Sequence, residues 1–310
     1  MHKLHAGSGD SAIRVSLPIG ERREVSADAM QQEIVKDVLF AMETDRLELP
    51  LLPDMAFNVR KLLSDPDSST SQFVDLLSTD LTISLYIIKA ANSAAFSPGQ
   101  PVGNLYDAIP RLGFRLLYSM VVNITLTQLF QAKSPLIDRR LRELWAHSQR
   151  VAANCYVLAL PHKHLKPEDA MLAGLVHDIG ALPLYLYTDH RHPEASPAVL
   201  DDLIEKFSAP VGARLLRSWR FPDGLVEVAA NHGDLRRINS TGKADYVDVV
   251  TVANLQLPGA AENVVWKGAY AAERLNYYAG DCRDFLLNHA EQFEAVSDMM
   301  GLRMAPTAPN

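Results

Sequence analysis

The feature that most constrains this chain is the period of its apolar residues. Wherever they recur regularly they do so at helical spacing, and no stretch sustains the alternation of a half-buried strand. Ile34, Val35, Val38, Leu39 and Met42 show the pattern, with Glu33, Lys36 and Asp37 among them on the polar side. Stripes of this kind are buried only by packing helices on one another, so the expected fold is all-α. With 310 residues, 48% of them hydrophobic, the chain can bury a large core in one long domain or two coupled subdomains.

Breakers divide this pattern. Residues 1–28 mix Gly7, Gly9, Pro18 and Gly20 with charges and are predicted to form a mobile tail or a loosely docked arm, with no chemistry assigned. Leu49-Pro50-Leu51-Leu52-Pro53 ends the first helix, and a second is predicted over Asp54–Leu63. After the turn Asp65-Pro66-Asp67-Ser68-Ser69, one of Ser69, Thr70 and Ser71 is placed to cap the helix carrying Phe73, Leu76 and Leu77. Asp80 opens the next, with Ile83, Ile87, Ile88 and Ala91 as its stripe. Ala108–Phe130 reads as one broken helix or two abutting ones, with Pro110 and Gly113 near its start. Further helices are predicted at Arg139–Leu160, Pro167–Asp178, Ala198–Arg217, Pro222–His232 and Ala244–Leu255, then from Trp266 to about Gly301 with a break near Gly280. No internal repeat is visible.

The formal net charge of −7 offers no electrostatic reason to expect nucleic acid or an anionic membrane as partner. Arg139, Arg140 and Arg142, and Arg236 with Arg237, read as solvated helix faces or ends. Cys155 and Cys282 are far apart and belong to no Cys/His cluster, so a reduced cytoplasm is expected rather than a disulfide framework. No run reaches the roughly 18 consecutive apolar residues of a membrane helix, so neither export nor a membrane span is expected.

The residues that could carry chemistry are histidines on apolar stripes. His177-Asp178 closes a predicted helix rich in small residues (Ala170, Ala173, Gly174), with Gly180 as a plausible C-cap. His147 lies in line with Leu144, Val151 and Leu158, and His232 follows Leu225, Val228 and Ala229. Two readings stand side by side. Each imidazole could simply satisfy a buried carbonyl or carboxylate. Alternatively, His147, His177, Asp178 and His232 could converge from separate helices on a divalent metal that activates water. His162, His164, His190 and His192 fall in polar segments and are expected to be exposed.

At these residues the sequence resembles the HD superfamily, through Trp145-Ala146-His147-Ser148, His177-Asp178-Ile179-Gly180 and Asn231-His232. The N-terminal half is more specific. Leu49-Pro50-Leu51-Leu52-Pro53, Asp65-Pro66-Asp67, Thr79-Asp80-Leu81, Ala91-Asn92-Ser93-Ala94-Ala95-Phe96 and Ala108-Ile109-Pro110-Arg111-Leu112-Gly113 resemble the HDOD family in order and spacing, as do Val211-Gly212-Ala213 and Trp219-Arg220-Phe221-Pro222. The resemblance spans about residues 45–255. It implies an N-terminal helical bundle (29–132) packed on an HD-like helical subdomain (133–258), leaving 259–310 as a helical extension packed on the core. It also implies a role in bacterial signal transduction.

The ligand set departs from the full HD pattern. Asn254 stands where the resemblance places a last ligating aspartate, Ser208 and Gly233 where multi-metal relatives carry histidines, and Ala181 where cyclic-dinucleotide phosphodiesterases of the HD-GYP group carry lysine. A neutral amide binds a cation less well than a carboxylate. Asp248, six residues before Asn254 and about 240° around the helix, is not placed to replace it. Asn92-Ser93 reads as local capping and turn chemistry. The expectation is a non-catalytic signalling or regulatory protein that binds a protein partner or a small regulator. The alternative is a metal-dependent phosphohydrolase acting on a nucleotide or cyclic dinucleotide. No cofactor is expected beyond a possible Mn, Fe, Zn or Mg ion, a small nucleotide ligand remains open, and oligomeric state is not legible.

Overall fold

The computed structural model describes residues 27–95, 99–257, 269–277 and 288–302, and among these every regular element is helical. The expected tail before residue 27, Phe96, Gly280 and Cys282 lie outside the described residues. The N-terminal elements are α1 (Ala27–Glu43), α2 (Asp54–Leu63), α3 (Thr70–Leu77), α4 (Leu81–Ala91), α5 (Leu105–Leu112) and α6 (Phe114–Leu126), the last continued by a 3-10 turn. There follow α7 (Pro135–Ala159), α8 (Pro167–Val176), α9 (Ala181–Arg191), α10 (Pro197–Ser218), α11 (Asp223–Asn231), α12 (Tyr246–Leu255), α13 (Tyr270–Arg274) and α14 (Ala290–Met299).

Side-chain caps set several of the helix starts. Ser69 and Gln72 form a reciprocal capping box at α3, and the Asp80 carboxylate accepts from Ile83 N–H at 3.0 Å to open α4. Ser134 and Ser196 cap α7 and α10, each followed by proline at the first helical position, where its missing N–H costs nothing. Gly113 divides α5 from α6 at φ +76°, a conformation that disfavours any side chain. The stretch 108–130 is thus two abutting helices. Asn92 goes beyond capping: its amide donates to Val102 O and accepts from Val102 N–H, both at 2.8 Å, clasping the following loop.

One element went unread. No helix is predicted between Gly180 and the start of α10, yet α9 fills it, because Pro183 within its first turn and the small polar cluster after it mask a short apolar stripe of Leu182, Leu184 and Tyr185. With α9 in place, Pro167–Arg191 becomes long and apolar enough to cross a membrane, but it is buried within the fold, as a core helix pair is.

Helices α6 and α8 pack together, and Ser119 Oγ donates to Glu168 O (3.0 Å) while Arg115 pairs with Asp169 (2.8 Å). The chain also crosses over itself. Helix α1 lies against α10, held by Arg214 to Met42 O and to Asp45, while Tyr187 and His192 both reach Asp37 at 2.9 Å. Trp219, just past α10, donates its indole N–H to Pro50 O (2.7 Å), and α14 rests on α7 and α4.

Candidate metal centre

The site is built where α7, α8 and α10 come closer than ordinary side chains allow. A Cβ on Gly174 would sit 2.6 Å from Ala152 Cα, and one on Gly180 would sit 1.9 Å from Ser208 O and 2.4 Å from Gly212 N. These two glycines let α8 touch the backbone of α7, and let the turn after it touch α10. Gly180 is not the C-cap expected from the sequence, a place His177 takes. The φ of Gly180 is −69°, and its role is close approach.

That corner brings His177 and Asp178 beside His147 from α7 and His232 from the end of α11. His177 Nε2 lies 3.0 Å and His147 Nε2 3.9 Å from Asp178 Oδ2, and His232 Nε2 lies 3.0 Å from Asp178 Oδ1. All four predicted ligand residues therefore converge. His147, His177 and Asp178 offer one ligand atom each within 4.8 Å of one another. Asn254 is there too, beside the His147 ring.

Backbone contacts decide how two of the rings present themselves. His177 Nδ1 is 2.8 Å from Gly174 O and His232 Nδ1 is 3.0 Å from Val228 O. Each Nδ1 must carry the proton to donate, so each neutral ring turns an Nε2 lone pair toward Asp178. Lone pairs facing a carboxylate repel unless a proton or a cation lies between them. For His232 a proton serves: burial lowers its pKa, but Asp178 outweighs burial and the net shift is upward. His177 Nε2 is buried and makes no hydrogen bond of ordinary geometry, although Asp178 Oδ2 lies 3.0 Å away. Burial, then the neighbouring His177, push His147 down to about 4, so it is neutral and able to ligate at neutral pH. Burial would raise Asp178, yet His177 and His232 hold it well below the usual carboxylate range. Three imidazoles and one carboxylate in this array fit a divalent transition ion.

The remaining expected positions are less favourable. Ser208 contributes its backbone oxygen to the Gly180 contact, and Ala181 is fully buried. Asp248 is buried and committed elsewhere: it closes a capping box with Asp245 and takes salt bridges from Arg237 (3.1 Å) and Arg274. This network corrects the reading of Arg237 as a solvated helix end. Likewise Arg140 pairs with Asp201 at 2.7 Å. The exposed reading of the loop histidines also fails for His192, which is partly buried on Asp37, and for His162, which is half-buried with an unpartnered Nε2. His164 is exposed but tied to Ala244 O at 2.9 Å, and His190 is exposed at the end of α9.

A fold helical throughout its described residues, with a buried histidine beside a part-exposed aspartate at the α8–α9 corner, defines an HD-like protein. The sequence matches the HDOD domain over residues 49–235, and the chain belongs to that family. A candidate metal-dependent phosphohydrolase from Shewanella amazonensis SB2B superposes with a TM-score of 0.74 at 28% identity, over 87% of this chain and 99% of that one. An HDOD domain protein of unknown function from Geobacter sulfurreducens gives 0.63 at 20% identity, over 87% and 98%. An uncharacterized protein of Treponema pallidum (strain Nichols) is 24% identical over 71% of this chain; the match spans 44% of that relative's length.

Proposed function

We propose that this chain is a non-catalytic HDOD signalling module of the cytoplasm, which binds a protein partner or a small regulator and passes the change between its two packed helical halves. The observation that carries the reading is the charge of the His-Asp cluster. Asp178 is its one carboxylate among the described residues, Asn254 supplies a neutral amide, and Asp248 is neutralised by two arginines. His147, His177, Asp178 and His232 would hold a divalent ion if one bound, and that ion would polarise a phosphoryl oxygen or acidify bound water. With Asn254 in place of a second carboxylate, the cluster would hold it less tightly than a two-carboxylate site. A protein partner is supported by Leu81 and Leu85, exposed one turn apart on α4.

Elemental analysis tests this reading. Purified protein is expected to carry no stoichiometric Mn, Fe or Zn, and His177→Ala to keep the helical fold. Stoichiometric metal together with a phosphatase activity that His177→Ala removes would overturn it. The rival reading, a metal-dependent phosphohydrolase of nucleotides or cyclic dinucleotides, is favoured by the convergence of the four ligands and by the relative from Shewanella.

A further inference from the structure

One charged cavity among the described residues lies away from the His-Asp cluster. It is a cleft of about 960 Å³ walled by α2, α6, α8, the α10–α11 corner and the start of α12. Its size is that of a small-molecule site. Four cations face it, Arg60, Lys61, Arg115 and Arg220, against one carboxylate, Asp169, in a chain whose formal net charge is −7. Arg115 is paired with Asp169, so Arg60, Lys61 and Arg220 are left facing no acid in the cleft.

The cations alternate with rings. Phe57 and Phe114 are 46% and 38% exposed although both are large and apolar, and both line this cleft, as do Tyr118 and Tyr246. The Arg60 guanidinium lies 5.8 Å from the Phe57 ring centre and 5.4 Å from that of Phe221, and donates to Trp219 O, so it is held in place before any ligand arrives. The Tyr118 hydroxyl is buried and has no hydrogen bond of ordinary geometry, only the Arg60 guanidinium near it. It is an unused donor in the wall of the cleft.

Arg220 adds an independent sign. It sits at φ +58°, in the left-handed position after α10, with Phe221 N–H returning to Leu216 O at 2.9 Å and its own N–H to Arg217 O at 2.8 Å. Glycine is the residue that this helix ending favours. An arginine thus occupies a position where glycine would be easier on the backbone, and it lines the cleft.

We propose that this cleft binds a nucleotide: a planar base stacked among Phe57, Phe114 and Tyr246, its phosphates held by Arg60, Lys61 and Arg220, with Tyr118 donating a hydrogen bond. A bare anion would leave the exposed rings without purpose, and an apolar ligand would leave three cations facing hydrocarbon. The site shares no residue with the His-Asp cluster, so its fate is separate from whether that cluster hydrolyses anything.

The test is calorimetric titration of the full chain in EDTA with AMP, ATP, GTP and cyclic dinucleotides, alongside pyrophosphate, adenosine and a twelve-nucleotide single strand. At least one nucleotide is expected to bind at micromolar concentration, more tightly than pyrophosphate or adenosine. Arg220→Gly relieves the backbone while removing the charge, so it is expected to weaken binding by about tenfold or more with melting temperature unchanged or raised. Lys61→Ala, at an exposed position, is expected to weaken binding similarly, and His177→Ala to leave it unchanged. No nucleotide binding at about 1 mM would overturn the proposal. So would binding indifferent to both Arg220→Gly and Lys61→Ala, pyrophosphate binding as tightly as nucleotides, or preference for the oligonucleotide, which would make the cleft a single-strand surface.

Discussion

Replacing Gly180 with alanine isolates the contact on which the site depends. The residue has φ −69° and ψ −19°, dihedrals open to any L-residue, so a methyl group adds no backbone strain. Any net loss is therefore steric. The new Cβ would lie 1.9 Å from Ser208 O, 2.4 Å from Gly212 N and 2.8 Å from Gly212 Cα. All three are backbone atoms of α10, so no side-chain rotation relieves the overlap, and α10 must move by about 1 Å from a close-packed seat. Overpacking of this severity costs about 3 kcal/mol or more, which in a domain of this size lowers the melting temperature by roughly 6–12 °C. Gly233→Ala, with nothing within 4 Å, is the control, expected to stay within about 0.5 kcal/mol of wild type. Urea denaturation of the two variants measures the difference. If Gly180→Ala loses less than about 1 kcal/mol, the α8–α9 corner does not rest on α10 as described.

Other expectations follow from the same geometry. Asp248→Asn leaves Arg237 and Arg274 without their shared counter-charge and should cost about 3–5 kcal/mol in urea unfolding. Asp80→Ala removes the α4 cap and should cost about 1 kcal/mol by the same assay. In EDTA, stability should fall as pH drops. His147 is neutral in the fold down to about 4 whereas an unfolded histidine protonates near 6.5, so its contribution is present above 6.5 and is lost progressively toward 4. The loss amounts to at most about 3 kcal/mol, and His147→Asn should flatten this part of the stability profile. Asn254→Asp adds a charge beside His147 and should tighten Zn or Mn binding by about tenfold or more, read by competition with a chelating dye.

The helical class, most helix limits and the four converging residues were legible because each rests on local pattern. Stripes identify faces, Ser69, Asp80 and the prolines at helix starts mark ends, and His147, His177 and His232 stand on those stripes. What stayed hidden depends on separation in sequence. Asp248 meets Arg274 across 26 residues and Asp37 meets His192 across 155, and nothing in the composition of either neighbourhood announces the pairing. Gly180 illustrates the limit from the other side. Its importance was visible in the sequence, but glycine serves both left-handed turns and backbone contacts, and only the position of α10 tells them apart. The cationic cleft was likewise unreadable, since Arg60, Arg115 and Arg220 come from three distant segments.

In the proposed function the His-Asp cluster brings its ligands together but, with Asn254 in place of a second carboxylate, supports no hydrolysis. Turnover tests it most directly: the protein, supplied in turn with Mn, Fe, Zn and Mg, is assayed against nucleotides and cyclic dinucleotides beside metal-only controls and the His177→Ala variant. No hydrolysis above the controls is expected, with wild type and variant indistinguishable. Metal-dependent turnover by the wild type that His177→Ala abolishes would contradict it.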